Sequence, residues 1–199
     1  MEEAQPIRAA ATVILTRAAP GGGHQVLMGQ RGAGAAFMPS KYVFPGGGVD
    51  PGDDIAAPLP VPPDCARRLA LSAAPGPLVA AAIRELSEET GLLLRADRPT
   101  MRFVFRAITP PGRPRRFDTR FFALDVTDVP NHGMIRPTPD SELVELVWVP
   151  LSGTDTLETV EITRIILDEL KKQVATGFDK QQERPFYRAR YNRFERVRL

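Results

Sequence analysis

The chain has 199 residues, 43% of them hydrophobic, and carries a net charge of +2. This length and composition allow a sizeable buried core, most simply as one domain over residues 1–199. The single cysteine, Cys65, excludes an internal disulfide framework and suits a reducing compartment. No apolar run approaches the roughly 20 residues of a membrane span, and the N-terminus does not resemble a signal peptide. The sequence therefore predicts a cytoplasmic protein without a membrane partner.

Arginine is concentrated in two regions. Residues 101–120 hold six arginines against one acidic residue, Asp118, and residues 178–199 form a basic C-terminal extension. Such concentrations of positive charge favour an anionic partner, either nucleic acid or a phosphorylated small molecule. For the C-terminal extension, solubilising surface charge explains the composition equally well.

The first elements along the chain are strands. Residues 9–16 and 25–28 predict two strands, joined by a turn at residues 20–23. The glycines of that turn lack a following Gly-Lys-Ser/Thr, so they do not predict a phosphate-binding loop. A short strand at residues 42–44 leads into the segment FPGGGVDPGDD. Residues 55–77 are proline-rich at both ends and predict an insertion with a small structure of its own.

A helix with an acidic C-terminal end follows the insertion. Pro77 suits its first position, residues 78–83 are rich in helix formers, and Gly91 is expected to end it in a left-handed conformation. In its last turns, Glu85, Glu88 and Glu89 stand at i, i+3 and i+4, so their carboxylates share one face and repel one another. A solvated acidic face would explain this spacing, and so would a bound Mg²⁺ or Mn²⁺, which turns the repulsion into coordination.

The second half predicts three more strands and one helix. The strands lie at residues 102–108, 116–126 and 143–149. An amphipathic helix is predicted over residues 157–174, with Asp155 and Glu158 as its capping box. Four aromatic residues are interpreted as core: Phe103, Phe105, Phe121 and Phe122. The predicted fold class is α+β, an α/β/α sandwich with a mixed sheet between helices.

Two segments together resemble the Nudix box. Residues 84–92, RELSEETGL, meet every fixed position of its second half, REUxEExGU, in which U is aliphatic. Residues 47–53 resemble its first half, with Asp53 in place of the usual glutamate. Thirty residues separate Asp53 from Arg84, where the family normally has seven, so about 23 residues are inserted in a loop, where insertions are tolerated.

Flanking residues resemble one subgroup of the family. Residues 37–47 and 108–122 are similar to the CoA diphosphatases whose Nudix box carries an insertion, namely the mammalian peroxisomal enzyme and its bacterial relatives. The signature of the shorter CoA-cleaving enzymes, RxxxGxxxFPGG, is not met, because Ala36 and Ser40 occupy its arginine and glycine positions.

The resemblance implies the Nudix fold and a metal-dependent diphosphatase. Glu85, Glu88 and Glu89 would ligate Mg²⁺ or Mn²⁺, Asp53 would join them or contact Arg84, and Arg84 would orient the glutamates. The implied partner is a small-molecule diphosphate and not a nucleic acid, and the resemblance allows a homodimer.

The general base has three candidates. Glu88 is the first choice, and Asp140 and Glu142 are candidates from a late loop, although a solvated start of a strand would also explain both. Phe44, Gly46 and Gly47 are expected to contact the substrate.

Arginine residues are candidates for binding the substrate phosphates. Arg116 and Arg120 would act as planar donors, or would pair with Asp118 or a neighbouring strand. For Arg31 the same alternatives are open.

Several substrates fit these expectations. CoA or an acyl-CoA is the leading one, because its 3′-phosphate would give the arginine-rich region an additional anion to bind. The alternatives are NADH, ADP-ribose or a nucleotide sugar. A non-catalytic nucleotide- or RNA-binding module is a further alternative, against which the intact REUxEExGU argues.

Overall fold

A computed structural model of the protein describes residues 5–35, 37–56, 59–95, 100–178, 185–190 and 193–197. The strands are β1 Ile7–Ala18, β2 His24–Arg31, β3 Tyr42–Val43, β4 Gly46–Gly48, β5 Arg102–Ile108, β6 Arg116–Asp125, β7 Leu143–Pro150, β8 Phe186–Arg190 and β9 Arg193–Val197. The α-helices are α1 Pro63–Ala70, α2 Pro75–Thr90 and α3 Glu161–Ala175. Short 3-10 helices cover Val126–Asp128, His132–Met134 and Leu151–Thr156.

The described strands form one mixed sheet. Its order is β3-β2-β1-β6-β5-β8-β9, with β4 paired to β1 and β7 paired to β2. The central pair, β1 and β6, is parallel from Ile7 opposite Arg116 to Thr16 opposite Asp125. Strand β4 runs antiparallel to β1, so the glycines of the segment FPGGGVDPGDD lie beside a central strand of the sheet.

A helical layer covers each face of the sheet. Side chains alternate along β1, so Val13 and Leu15 pack with α1 and α2, whereas Ile14 packs with α3. The four phenylalanines predicted to be core are all buried. The predicted α+β class, with a mixed sheet between helices, is confirmed.

The predicted bounds of α2 needed one correction. The helix begins at Pro75 and not at Pro77. Both prolines have a fixed φ that suits the first turn of a helix, and the first turn starts at the earlier proline. At its other end Gly91 has φ 71°, the left-handed conformation expected for it.

The predicted capping box of the last helix is wrong. Helix α3 starts at Glu161 and has no side-chain cap, and Leu157 and Val160 before it are extended. The carbonyl of Glu158 accepts the Tyr42 N–H at 3.0 Å, so the backbone at this point is committed to a contact with the strand region. The side chains of the expected box bind lysines instead, Asp155 to Lys171 and Glu158 to Lys41.

The insertion contributes to the main core. Its described part contains α1, and Val61, Cys65 and Leu69 are buried against α2 and the sheet. The Met101 N–H also donates to the Pro60 carbonyl at 3.0 Å. A small structure is present here, as predicted, but it does not stand apart, so replacing residues 55–77 by a short linker would expose core surface.

The C-terminal extension lies partly within the described residues. Strands β8 and β9 form an antiparallel hairpin, and β8 pairs parallel to β5. Residues 179–184, 191–192 and 198–199 lie outside the described part. Among the described residues, no single helix is long and apolar enough to cross a membrane, although α1 and α2 taken together across their 113° bend reach that length and apolarity.

Two leucines of the insertion provide a matched test of its packing. Leu69 is 0% exposed and Leu71 is 76% exposed. Replacing Leu69 by alanine should lower the free energy of unfolding by about 2–5 kcal/mol, because it leaves a cavity in the core. Leu71→Ala should change it by less than about 0.5 kcal/mol. Urea unfolding measures both, and equal effects would contradict the packing of α1.

Candidate active site

Two glycines of β4 allow close contacts, Gly46 with β1 and Gly47 with α2. Strand β4 pairs with β1, and Gly47 stands opposite Ala11. A Cβ on Gly47 would overlap the Glu85 carboxylate. Gly46 has φ 153°, and a Cβ there would lie 2.5 Å from the Ala11 carbonyl oxygen. A side chain at position 47 would therefore push Glu85 or the helix away from this strand, whereas one at position 46 would clash with β1.

Arg84 links the carboxylates to the glycine strand. Its Nη1 donates to Glu85 Oε1 at 2.9 Å and to Glu88 Oε2 at 3.0 Å. Its Nη2 donates to the Gly48 carbonyl at 2.9 Å and to Asp53 Oδ2 at 2.9 Å. The hydrogen bond to Asp53 is the largest cause that raises the pKa of Arg84. One guanidinium thus fixes the side of α2 against β4.

Asp53 lies on Arg84. Both of its carboxylate oxygens accept from the guanidinium, at 3.0 and 2.9 Å, and Oδ2 also accepts the Asp50 N–H at 2.7 Å. The hydrogen bond from Arg84 holds the pKa of Asp53 below its usual range. Of the two expected roles for Asp53, this arrangement favours contact with Arg84, and a role as a metal ligand stays a prediction.

The other carboxylates differ in burial. Glu89 is buried, and its Oε2 accepts the Gly46 N–H at 2.8 Å. Burial raises the pKa of Glu89 to about 8; the Gly46 N–H and Arg31 act to lower it, and the charges of Glu85 and Glu142 act to raise it further. Burial also raises the pKa of Glu85. The Glu88 side chain is 57% exposed.

These side chains fit a hard divalent cation in their chemistry. Among the described residues, no three Asp, Glu, His or Cys side chains converge on one point, because Arg84 holds Glu85 and Glu88 while Gly46 holds Glu89. Carboxylate oxygens are nevertheless the donors that Mg²⁺ and Mn²⁺ prefer. Burial of two of the three opposes their negative charge, and a cation would offset that cost. Glu85, Glu88 and Glu89 are therefore the residues that would hold it.

The late loop brings another ion pair to the cluster. Arg31 Nη2 lies 2.5 Å from Glu142 Oε2, with the Arg31 side chain 11% exposed and that of Glu142 62% exposed. Both residues act on the pKa of Glu89, so both are close to the acidic end of α2. Asp140, the other late-loop candidate, is exposed.

The two arginines of β6 lie among structural partners. Arg120 is buried, and its guanidinium bonds to Asp118 at 2.9 Å and to Ser72 Oγ at 3.0 Å. Arg106 donates two hydrogen bonds of 2.8 Å to the same Asp118 carboxylate. Arg116 donates to the Thr109 carbonyl at 3.2 Å. These contacts favour the pairing alternative, and phosphate binding by Arg116 and Arg120 stays a prediction.

An aromatic pair was missed by the sequence analysis. The Phe117 ring would lie 3.8 Å from a Cβ on Gly48, beside Arg8. The rings of Phe37 and Phe117 meet edge to face at 6.1 Å. Alternation along β6 places Phe117 on the same face as Phe121, but the contact of Phe37 depends on the loop after β2. Phe44, expected at the substrate, is buried with its ring 6.4 Å from Phe121.

Comparisons with known proteins identify a family and a fold that the chain resembles. Residues 75–170 match the NUDIX domain family. The NUDIX hydrolase of Alicyclobacillus acidocaldarius is 25% identical, with 87% of this chain and 96% of that chain covered and a TM-score of 0.65. The Ap4A hydrolase of C. elegans is 17% identical (85% and 99% covered, TM-score 0.54). The NUDIX domain of Shewanella oneidensis NrtR, complexed with ADP ribose, is 12% identical (85% and 90% covered, TM-score 0.60). No match was found among curated proteins.

The chain therefore resembles the NUDIX domain family over residues 75–170, and its fold is the Nudix fold. The family match and the NUDIX hydrolase of Alicyclobacillus acidocaldarius support a Nudix-type pyrophosphatase. The box residues that define this class are the ones that Arg84 and the glycine strand hold together.

The raised pKa of Glu89 predicts how the metal-free protein responds to pH. The pKa is about 8 in the folded protein and about 4.5 when unfolded. The folded protein therefore favours protonated Glu89. The contribution of Glu89 to the free energy of unfolding is fully present below pH 4.5 and is lost as the pH rises through 8. Glu89→Gln avoids that loss. With EDTA present, it should raise Tm at pH 8.5 by at least about 3 °C, with a smaller gain at pH 5.5.

Thermal unfolding of the wild type, Glu89→Gln and the exposed control Glu88→Gln at both pH values measures this effect. The gain at pH 8.5 should be smaller for Glu88→Gln than for Glu89→Gln. A gain for Glu89→Gln that is equal at the two pH values would show that Glu89 does not titrate as its burial requires.

Proposed function

We propose that the protein is a metal-dependent hydrolase that cleaves the diphosphate bond of a nucleoside diphosphate linked to another moiety. The observation that carries this proposal is the contact of one arginine, Arg84, with three carboxylates and the glycine strand. Such a cluster places hard oxygen donors on one helix face next to backbone that a substrate can approach closely. A solvated acidic face would not require buried glutamates beside three glycines.

The residues of the cluster have distinct proposed roles. Glu85, Glu88 and Glu89 hold the cation, and Arg84 keeps their carboxylates oriented. When bound, Mg²⁺ or Mn²⁺ would neutralise the charge of the diphosphate and lower the pKa of a water molecule. Glu88 or Glu142 accepts the proton of the attacking water. Each of the two products keeps one phosphate: one is a nucleoside monophosphate and the other is the phosphate of the second moiety.

A place for the nucleoside lies on the other side of the glycine strand. Successive residues of a strand point to opposite faces, so Gly47 faces Glu85 whereas Gly48 faces Phe117 and Arg8. Half-buried rings at this position offer a surface for a base, since stacking on an aromatic ring suits any base. The same strand would then separate the nucleoside from the acidic cluster that acts on its diphosphate.

CoA or an acyl-CoA is the leading substrate of this proposal. The resemblance of the flanking residues to the CoA diphosphatases supports it. So do the exposed Arg113 and Arg115, which precede β6 close in sequence to Phe117 and suit an additional phosphate. Arg106 and Arg120 support it less, because Asp118 already pairs with both. NADH, ADP-ribose and a nucleotide sugar share the nucleoside diphosphate and are the alternatives.

A substrate panel with Mg²⁺ or Mn²⁺ tests the proposal. CoA, dephospho-CoA, acetyl-CoA, NADH, ADP-ribose and a nucleotide sugar should be offered, and the products identified by mass spectrometry. EDTA should abolish hydrolysis, and added metal should restore it. Glu88→Gln should lower kcat by about 100-fold or more, with Tm close to that of the wild type because its side chain is largely exposed.

The control is Glu161→Gln, which removes an exposed glutamate of α3 and should leave kcat unchanged. Hydrolysis that persists in EDTA would contradict the metal-dependent mechanism. Binding of ADP-ribose or CoA without cleavage of any compound would instead support the non-catalytic module.

A further inference from the structure

The C-terminal end of α2 is capped by one distant segment. A helix end leaves carbonyls without intrahelical partners. Here the carbonyls of residues 88–91 each accept a hydrogen bond from residues 131–141, which we term the cap segment. The donors are Thr138 Oγ1 to Glu88, Ser141 Oγ to Glu89 at 3.4 Å, the Arg136 N–H to Thr90 at 3.3 Å, and Asn131 Nδ2 to Gly91 at 2.9 Å.

The four donors are neutral at an end that already carries three glutamates. The last turn of α2 contains no basic residue, although lysine or arginine commonly caps such carbonyls and complements the helix dipole. A cation at this position would also compete for the carboxylates. Hydroxyl, amide and backbone donors satisfy the carbonyls and leave the charge of the cluster unchanged.

The cap segment leads directly into Glu142. Ser141 Oγ also accepts the Leu143 N–H at 3.0 Å, and Leu143 is buried. The Glu142 carbonyl accepts the Gly32 N–H at 3.3 Å, and its carboxylate lies on Arg31. The residue is therefore fixed through both chain neighbours and through its own side chain.

The sequence around Thr138 stiffens this arrangement. Thr138 stands between Pro137 and Pro139, and each proline restricts its own φ and the residue before it. The unbound segment has fewer conformations to lose, so less entropy opposes the contacts of the two hydroxyls.

We propose that Thr138 and Ser141 are positioning residues that hold Glu142 at the acidic end of α2. This inference rests on the proposed function, in which Glu142 is a candidate for the group that takes a proton from water. The hydroxyls act through Glu142 and do not contact the substrate, so their loss should affect kcat and not KM.

Thr138→Val and Thr138→Ser form a matched pair, because valine keeps the shape without the hydroxyl and serine keeps the hydroxyl. With Mg²⁺ and CoA or ADP-ribose as probes, Thr138→Val should lower kcat by about two- to tenfold. KM should stay within about twofold. Thr138→Ser should behave like the wild type, and Ser141→Ala should behave like Thr138→Val.

The Glu142→Gln background separates positioning from a general structural role. If Thr138 acts through Glu142, Thr138→Val should cause no further loss of kcat in this background. The same loss in both backgrounds, or no loss in the wild-type background, would overturn the inference.

Hydrogen exchange gives a readout that needs no activity. In the metal-free protein, the amides of residues 140–143 should exchange faster in Thr138→Val than in the wild type or Thr138→Ser. Unchanged exchange would overturn the inference even in an active enzyme. If the wild type cleaves no compound of the substrate panel while Thr138→Val exchanges faster than the wild type, the proposed function is refuted and the cap segment's hold on Glu142 stays supported.

Discussion

The site depends on the close contact between the glycine strand β4 and the acidic end of α2. The three glycines contact three different side chains of the helix: the Gly46 N–H donates to Glu89, Gly47 lies under the Glu85 carboxylate, and the Gly48 carbonyl accepts from Arg84. Any Cβ at the middle position would displace a carboxylate. The backbone of β4 is therefore both the support of the cluster and the surface nearest to it.

This contact places negative charge where water is partly excluded. Burial raises the pKa of both Glu85 and Glu89, so the metal-free arrangement is electrostatically unfavourable at neutral pH. Two arginines offset part of that cost. Arg84 donates to Glu85, and the charge of Arg31 lowers the pKa of Glu89. Charges held in this way are a poor route to stability, and they are better explained by chemistry that uses them.

Local spacing was enough to predict the acidic face and the end of α2. The i, i+3, i+4 pattern follows from the helical period, and Gly91 is the residue that tolerates a left-handed conformation. The mixed sheet with helices on both faces could also be predicted from the order of strands and helices. These features depend on neighbours in sequence, which is why the sequence alone indicates them.

Contacts between distant segments could not be predicted in this way. Arg120 is buried under Ser72, which depends on how the insertion folds over the sheet. The cap segment has no periodic pattern, so its four bonds to α2 become visible only in the structure. The capping box was wrong because the backbone near Glu158 contacts Tyr42, and local pattern carries no information on that contact.

The most direct measurement is the Mn²⁺ affinity of Gly47→Ala compared with Gly48→Ala. The added methyl at position 47 overlaps the Glu85 carboxylate, whereas at position 48 it meets the end of the Arg8 side chain at 3.3 Å. If β4 sets the geometry of the cluster, Gly47→Ala should weaken Mn²⁺ binding by about tenfold or more, and Gly48→Ala should change it little. Equal Mn²⁺ affinity in the two variants would contradict the central role of this contact.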